Sequence, residues 1–162
     1  MTQISIERDL DASELLSFLR EIDPDTLPPL SSRVVLEDYA TKLASHAVCV
    51  VARVGAEIVG FYGGYCNDFE SRLGYLSLQA VVPSYRGTGL GERLLICMID
   101  AARELGMCEL LLETSAENKA ARSLHEKHGF REVEDDRPAT SGSIYMRLAL
   151  SASEGDVNSP ER

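Results

Sequence analysis

The stretch "AVVPSYRGTGLGERLL", residues 80–95, decides how this chain is read. The β-type run "YLSLQAVV" (75–82) ends at Pro83, three glycines (Gly87, Gly89 and Gly91) fall within five positions, and a helical pattern begins near Leu90. Proline ends a strand because it cannot donate to the ladder, and glycine permits the bend that follows. The first turn of a helix offers backbone amides with no internal partner, at the positive end of the helix dipole. A phosphate can approach such amides where no Cβ stands in the way. The unit suits a pyrophosphate, with Arg86 adding a guanidinium or its own amide at the mouth. The plainer reading is a tight strand-to-helix turn that binds nothing. Two common phosphate motifs fail: no lysine supplies Gly-Lys-Ser/Thr, and the spacing is G-x-G-x-G, not G-x-G-x-x-G.

Outward from this turn, the pattern alternates between strands and helices. "QISIERDL" predicts a short strand, and Leu15, Leu16, Leu19 and Ile22 give a helix over about 11–22 one apolar face. After "DPDTLPPLSS", Ser32 is expected to cap a second helix reaching about Ser45, with Val34, Val35, Leu36, Tyr39 and Leu43 partly buried. "AVCVVARV" and "EIVGFYGGYC" read as a hairpin around Gly55 and Ala56, and "YLSLQAVV" as the next strand. A helix over about 90–105 carries Leu94, Leu95, Met98, Ala101, Ala102 and Leu105 on one side and stops at Gly106. "CELLLETS" is a strand covered on both faces, and "ENKAARSLHEKHGF" a short helix closed by Gly129. A short strand near Glu132 and Val133 and the alternating "SIYMRLAL" complete the order β-α-α-β-β-β-α-β-α-β-β. The expected fold class is α/β (α+β), a mixed sheet with helices on both faces.

Length and composition bound the function. The 162 residues suit one domain over 1–150, followed by a disordered acidic tail at 151–162 that lacks apolar periodicity. With 16 basic and 26 acidic residues the net charge is −10, which argues against a nucleic-acid partner and tilts slightly toward a cationic one. Four cysteines (Cys49, Cys66, Cys97 and Cys108) form no C-x-x-C pair and no zinc spacing, so no metal is expected. Cys49, Cys97 and Cys108 read as small core residues of a reducing compartment. The polar opening "MTQISIERDLD" is no signal peptide, and no apolar run reaches membrane length. A cytoplasmic protein with no membrane partner is the expectation.

Arg86, Gly89 and Gly91 spell Arg-x-x-Gly-x-Gly, and here the chain resembles the GCN5-related N-acetyltransferase (GNAT) superfamily. "AVVPSYRGTGLGERLL" resembles its V-x-P-x-Y-R-G-x-G-[IL]-G run. "LLLETSAENKAARSLHEKHGF" (110–130) resembles its second signature, L-E-V-x-x-x-N-x-x-A-x-x-L-Y-E-K-x-G-F. The likeness covers roughly 47–150 in element order and is motif-specific over 81–130. It implies a mostly antiparallel sheet whose central strands splay apart, acetyl-coenzyme A as acetyl donor, and transfer to a primary amine. The pantetheine arm would pair near Gln79, Ala80 and Val81, and the pyrophosphate would lie on amides of Arg86, Gly87, Thr88, Gly89, Leu90 and Gly91. The Gln79 amide would polarise the thioester carbonyl, as in an oxyanion hole. Asn118, capping the last helix, matches an asparagine near the pantetheine or phosphate. Dimers are common in the superfamily, and the sequence leaves the oligomeric state open.

Two positions depart from the pattern or stay open. Many members place an acid tyrosine where this chain has His125, which either protonates the leaving thiolate or only closes the cavity. Glu113 matches the glutamate that serves as base in bacterial ribosomal-protein N-terminal acetyltransferases, or it merely orients nearby amides. Tyr75 and Ser77 stand where other members carry an acidic residue. His128 reads as solvated surface, His46 as a helix-end residue, and Asp68 and Glu70 as solvated loop charges. The alternatives are a non-catalytic acyl-coenzyme A sensor and a nucleotide-phosphate binder without acyl chemistry.

Overall fold

A computed structural model describes residues 3–26, 28–137 and 141–150; the expected tail at 151–162 lies outside them. Seven strands are β1 (Ile4–Glu7), β2 (Val48–Val54), β3 (Glu57–Tyr65), β4 (Leu73–Val81), β5 (Glu109–Ser115), β6 (Arg131–Val133) and β7 (Ser143–Ala149). Four helices are α1 (Ala12–Ile22), α2 (Leu36–His46), α3 (Leu90–Glu104) and α4 (Lys119–Lys127). The strand order is β1-β2-β3-β4-β5-β7-β6. The β1–β2, β2–β3, β5–β7 and β6–β7 pairs are antiparallel, and β4–β5 is parallel. The element order is the one the sequence predicts.

The chain divides into two compact units, residues 1–65 with 77–99, and 66–76 with 100–162. In the first, Asp11 caps α1 in a capping box: its Oδ1 accepts from the Glu14 amide at 2.8 Å and its own amide donates to Glu14 Oε2 at 3.3 Å. Leu15, Phe18, Leu19 and Ile22 form the buried stripe of α1. Phe18 takes the place expected for Leu16 and packs on Phe61 of β3, with ring centroids 6.3 Å apart. A Cβ at Gly63 would meet Leu43 of α2 at 3.3 Å, and one at Gly60 would meet Leu94 and Leu90 of α3 at 2.9 and 3.3 Å. Positions 60 and 63 lie on opposite sides of a strand. Helices α1 and α2 therefore cover one face of β3, and the start of α3 covers the other.

The start of α2 corrects the sequence reading. Ser32 does not cap it; its hydroxyl bonds back to the Pro29 carbonyl at 2.6 Å within a separate 3-10 turn over Leu30–Ser32. The helix begins at Leu36 with no side-chain cap, and Val35 is 60% exposed. The local serine-to-carbonyl bond competes with helix entry.

In the second unit, Leu110, Leu111 and Leu112 of β5 are all buried. Leu110 pairs with Leu148 and Leu112 with Met146, and a Cβ at Gly129, just past α4, would meet Leu148 at 3.1 Å. That face of β5 and β7 is the one the end of α4 covers. The β4–β5 ladder pairs Leu73–Leu76 with Glu109–Leu112. Two apolar expectations fail here. Cys108 is exposed and Leu105 is 40% exposed, because α3 ends at Glu104 and Gly106 turns the chain at φ +81°. Cys97 is only partly buried, while Cys66 is buried.

Candidate active site

The turn between β4 and α3 lies within the first unit. Val82 ends the strand, Pro83–Tyr85 form a 3-10 turn, and the Arg86 amide closes that turn on the Pro83 carbonyl at 3.2 Å. Gly87 and Gly89 both have positive φ, +74° and +84°, which an L side chain adopts at a cost. A Cβ at either would meet nothing within 4 Å. These glycines therefore serve the backbone path and leave open space in front of it. Among the described residues the amides of Gly87, Thr88, Gly89, Leu90 and Gly91 have no protein hydrogen-bond partner. Five successive donors at a helix entrance make a ready anion cradle.

Arg86 enters this cradle differently from the other five residues, because its amide is spent on Pro83. Its side chain is also engaged: Nε donates to the Val81 carbonyl at 3.0 Å, and Nη2 lies 3.8 Å from Asp25. Arg86 thus pins the strand end to the turn. The Thr88 hydroxyl donates to the Tyr85 carbonyl and stiffens the same loop.

Gln79 braces the helix entrance from the strand, since its Nε2 donates to the Gly91 carbonyl at 2.8 Å. Two positions earlier, the Ser77 hydroxyl meets the Tyr39 hydroxyl of α2. The buried–half-buried alternation of β4 ends at Leu76. Ala80 and Val81 follow, half-buried. Burial raises the Tyr39 phenol above its ordinary range, against the opposing bond from Ser77, and keeps it neutral.

The remaining expected residues belong to the second unit. Asn118 caps α4, its Oδ1 accepting from the Ala121 amide at 3.1 Å, which leaves its side-chain NH2 as a donor. His125 is buried and its ring meets Phe130 edge-on at 5.2 Å. His125 Nδ1 lies 2.7 Å from the Ala121 carbonyl oxygen. A carbonyl only accepts, so Nδ1 carries the proton. Burial lowers the His125 pKa, opposed by the Ala121 bond and aided by His128. The neutral ring then has a lone pair on Nε2. His128 is half-buried, and Glu113 stands half-buried on β5.

Sequence reasoning missed two hydroxyls, Tyr39 beside Ser77 and Tyr145 opposite Glu113. Neither has a local signal, because each is defined by a partner distant in sequence. An open groove of about 390 Å³ in the first unit, lined by Glu14, Ser17, Phe18, Glu21, Ile58 and Tyr85 among others, contains none of the expected site residues. Among the described residues no cluster could hold a metal ion, and no helix is long and apolar enough to cross a membrane.

The model of the Acetyltransferase (GNAT) family matches residues 12–130. The chain is 30% identical over 134 residues to an IAA acetyltransferase of Azospirillum brasilense, covering 80% of this chain and 86% of that one. It is 39% identical over 57 residues to N-alpha-acetyltransferase 30 of Schizosaccharomyces pombe, covering 35% of this chain and only 38% of that one. Among solved structures, the ribosomal-protein-S18-alanine N-acetyltransferase of Escherichia coli superposes with a TM-score of 0.73 at 23% identity, over 93% of this chain and 96% of that one. The PaiA N-acetyltransferase of Thermoplasma acidophilum in complex with coenzyme A gives 0.71 at 14% identity, over 91% and 99%. These likenesses share the fold.

Proposed function

The chain belongs to the GNAT acetyltransferase family, and on that premise we propose that residues 1–150 act as one N-acetyltransferase domain. It moves the acetyl group of acetyl-coenzyme A directly to a primary amine. The observation that carries this reading is the run of five unpartnered amides from Gly87 to Gly91 at the mouth of α3. These donors fit a diphosphate, and Arg86 and Gln79 hold them in place from either side.

In this reading the amine nitrogen attacks the acetyl carbonyl carbon and the carbon–sulfur bond breaks. The Gln79 amide polarises the carbonyl oxygen, and the backbone of Ala80 and Val81 aligns the pantetheine arm. The amine gives its proton to Glu113, directly or through water, and the thiolate leaves. Asn118 supplies a donor to the pantetheine or phosphate. His125, neutral with its Nδ1 proton on Ala121, is poised to accept at Nε2 rather than to give a proton there. The thiolate then takes its proton from solvent. Relatives named for N-terminal acetylation favour the α-amine of a protein or peptide as acceptor. Acetyl-coenzyme A is made and used inside cells, which supports a cytoplasmic location.

A second reading, an acyl-coenzyme A sensor without turnover, is favoured by the neutral state of His125 where the family pattern has an acid. Release of the coenzyme A thiol separates the two. The panel should contain an alanine-starting peptide, a lysine peptide, a polyamine and an amino sugar. Thiol release dependent on any of these amines supports transfer. Tight coenzyme A binding with no release on the whole panel supports the sensor.

A further inference from the structure

The hydroxyls of Tyr39 on α2 and Ser77 on β4 bond to each other, and both residues are half-buried. A hydroxyl has one proton to donate and two lone pairs to accept with. The bond between them uses one proton, and among the described residues neither hydroxyl has another partner. The pair therefore keeps one free O–H. Ser77 stands two residues before Gln79 on β4, about 6–7 Å away along a strand.

The surroundings of this pair are neutral or cationic. Lys42 follows Tyr39 by about one turn of α2, and its Nζ lies 5.4 Å from the ring centre of Tyr65, at the end of β3. Burial pushes the Tyr65 phenol up to about 12, and Tyr39 and Cys49 add to the rise. Burial also pushes the Cys49 thiol up to about 11, so both groups are uncharged near neutral pH. The charge acting on Tyr39 is the Arg33 guanidinium, which opposes the rise from burial. On the same helix Asp38 is exposed, and Glu37 turns to Arg20 of α1 at 2.7 Å.

We propose that the Tyr39–Ser77 pair is an acceptor subsite for the first peptide group of a peptide or protein N-terminus: its free O–H donates to the carbonyl oxygen of the residue that bears the α-amine. This rests on the transfer reading, in which the Gln79 amide marks the acetyl carbonyl. An extended chain advances about 3.3–3.6 Å per residue, so the first one or two residues of the acceptor span the distance from that amide to the pair. A polyamine offers no carbonyl to accept, and its further ammonium groups would meet the like charges of Arg33 and Lys42. The subsite therefore selects a peptide over a polyamine.

The test titrates the full chain, saturated with coenzyme A, with an alanine-starting tetrapeptide and with spermidine, by calorimetry. The parent should bind the peptide more tightly than spermidine. Tyr39→Phe, which keeps the ring, should weaken the peptide about fivefold and leave spermidine and coenzyme A within about twofold. Ser77→Ala should repeat that selective loss, while Ser77→Thr, which keeps a hydroxyl, should bind the peptide as the parent does. Peptide affinity within about twofold of the parent in a folded Tyr39→Phe overturns the proposal. Equal weakening of peptide and spermidine overturns it too, as does a parent that binds spermidine at least as tightly as the peptide. If Tyr39→Phe does not fold, Ser77→Ala against Ser77→Thr decides by the same comparison. Thiol release from acetyl-coenzyme A is measured separately: pair-dependent peptide binding without release removes the transfer reading and leaves the subsite standing.

Discussion

His125 Nδ1 lies 2.7 Å from the Ala121 carbonyl oxygen, one turn back on α4, inside a pocket closed by Phe130. This bond fixes the tautomer, and burial lowers the ring's proton affinity. The unfolded chain therefore binds a proton at a pH where the folded chain does not. Stability from this residue is full above the unfolded pKa of about 6.5 and is lost as pH falls toward the depressed folded value. Urea unfolding of the parent and of His125→Phe should diverge in trend: the parent loses stability relative to the variant between pH 7 and 5. An equal pH trend in both proteins would contradict a buried neutral ring.

The glycine turn yields a matched pair of substitutions. Gly89 at φ +84° and Gly55 at φ +60° in the β2–β3 turn both have open space where a Cβ would sit. Each change to glutamate should cost about 1 kcal/mol of backbone strain without a clash. Only Gly89→Glu sets a carboxylate before the Gly87–Gly91 amides. Calorimetric titration with coenzyme A should show binding abolished in Gly89→Glu and retained in Gly55→Glu, at similar melting temperatures. Retained binding in Gly89→Glu would remove the cradle.

Much of this was legible because it is local. Pro83, the glycine run, the β5 leucines and Gly129 each write their structure into neighbouring residues, so element order and the donor loop follow from the sequence. Partnership across sequence distance is not written that way. Nothing near Tyr145 indicates that β7 pairs in a register placing it opposite Glu113. Nothing near Ser77 announces Tyr39. The motif assigns the Arg86 amide to the cradle because a sequence motif does not reveal the 3-10 bond to Pro83. Residue type alone leaves His125 either a proton donor or a cavity wall, because its burial and its bond to Ala121 depend on how α4 packs.

Arg53 of β2 is 9% exposed and holds the N-terminal elements together. Its Nη1 and Nη2 meet Glu14 Oε1 and Oε2 at 3.1 and 3.0 Å, Nε lies 3.3 Å from Glu7, and Nη2 also donates to the Asp9 carbonyl at 3.1 Å. Removing a buried, multiply bonded cation is costly, but Glu7 and Glu14 keep 45% and 40% side-chain exposure and rehydrate. Arg53→Met should therefore destabilise by about 1–3 kcal/mol, less than a fully buried pair. Denaturant unfolding measures this, and coenzyme A affinity should stay within about twofold. Stability equal to the parent would show the clamp to be dispensable.

Gly60 links the sheet to the cradle. A Cβ there would stand 2.9 Å from Leu94 Cδ1 and 3.3 Å from Leu90 Cδ2, both on the first turns of α3. Those contacts are the tips of flexible side chains, so Gly60→Ala can be absorbed by small rotamer shifts at modest cost. Gly60→Val adds two methyl groups against fully buried leucines and should cost about 1–3 kcal/mol through overpacking. Relief requires α3 to shift from β3, which moves the Gly87–Gly91 amides relative to the Gln79 brace at Gly91. Coenzyme A affinity should therefore fall several-fold in Gly60→Val and change little in Gly60→Ala, measured by calorimetry well below each variant's melting temperature. Unchanged affinity in a destabilised Gly60→Val would mean that the donor loop holds its shape independently of how α3 packs.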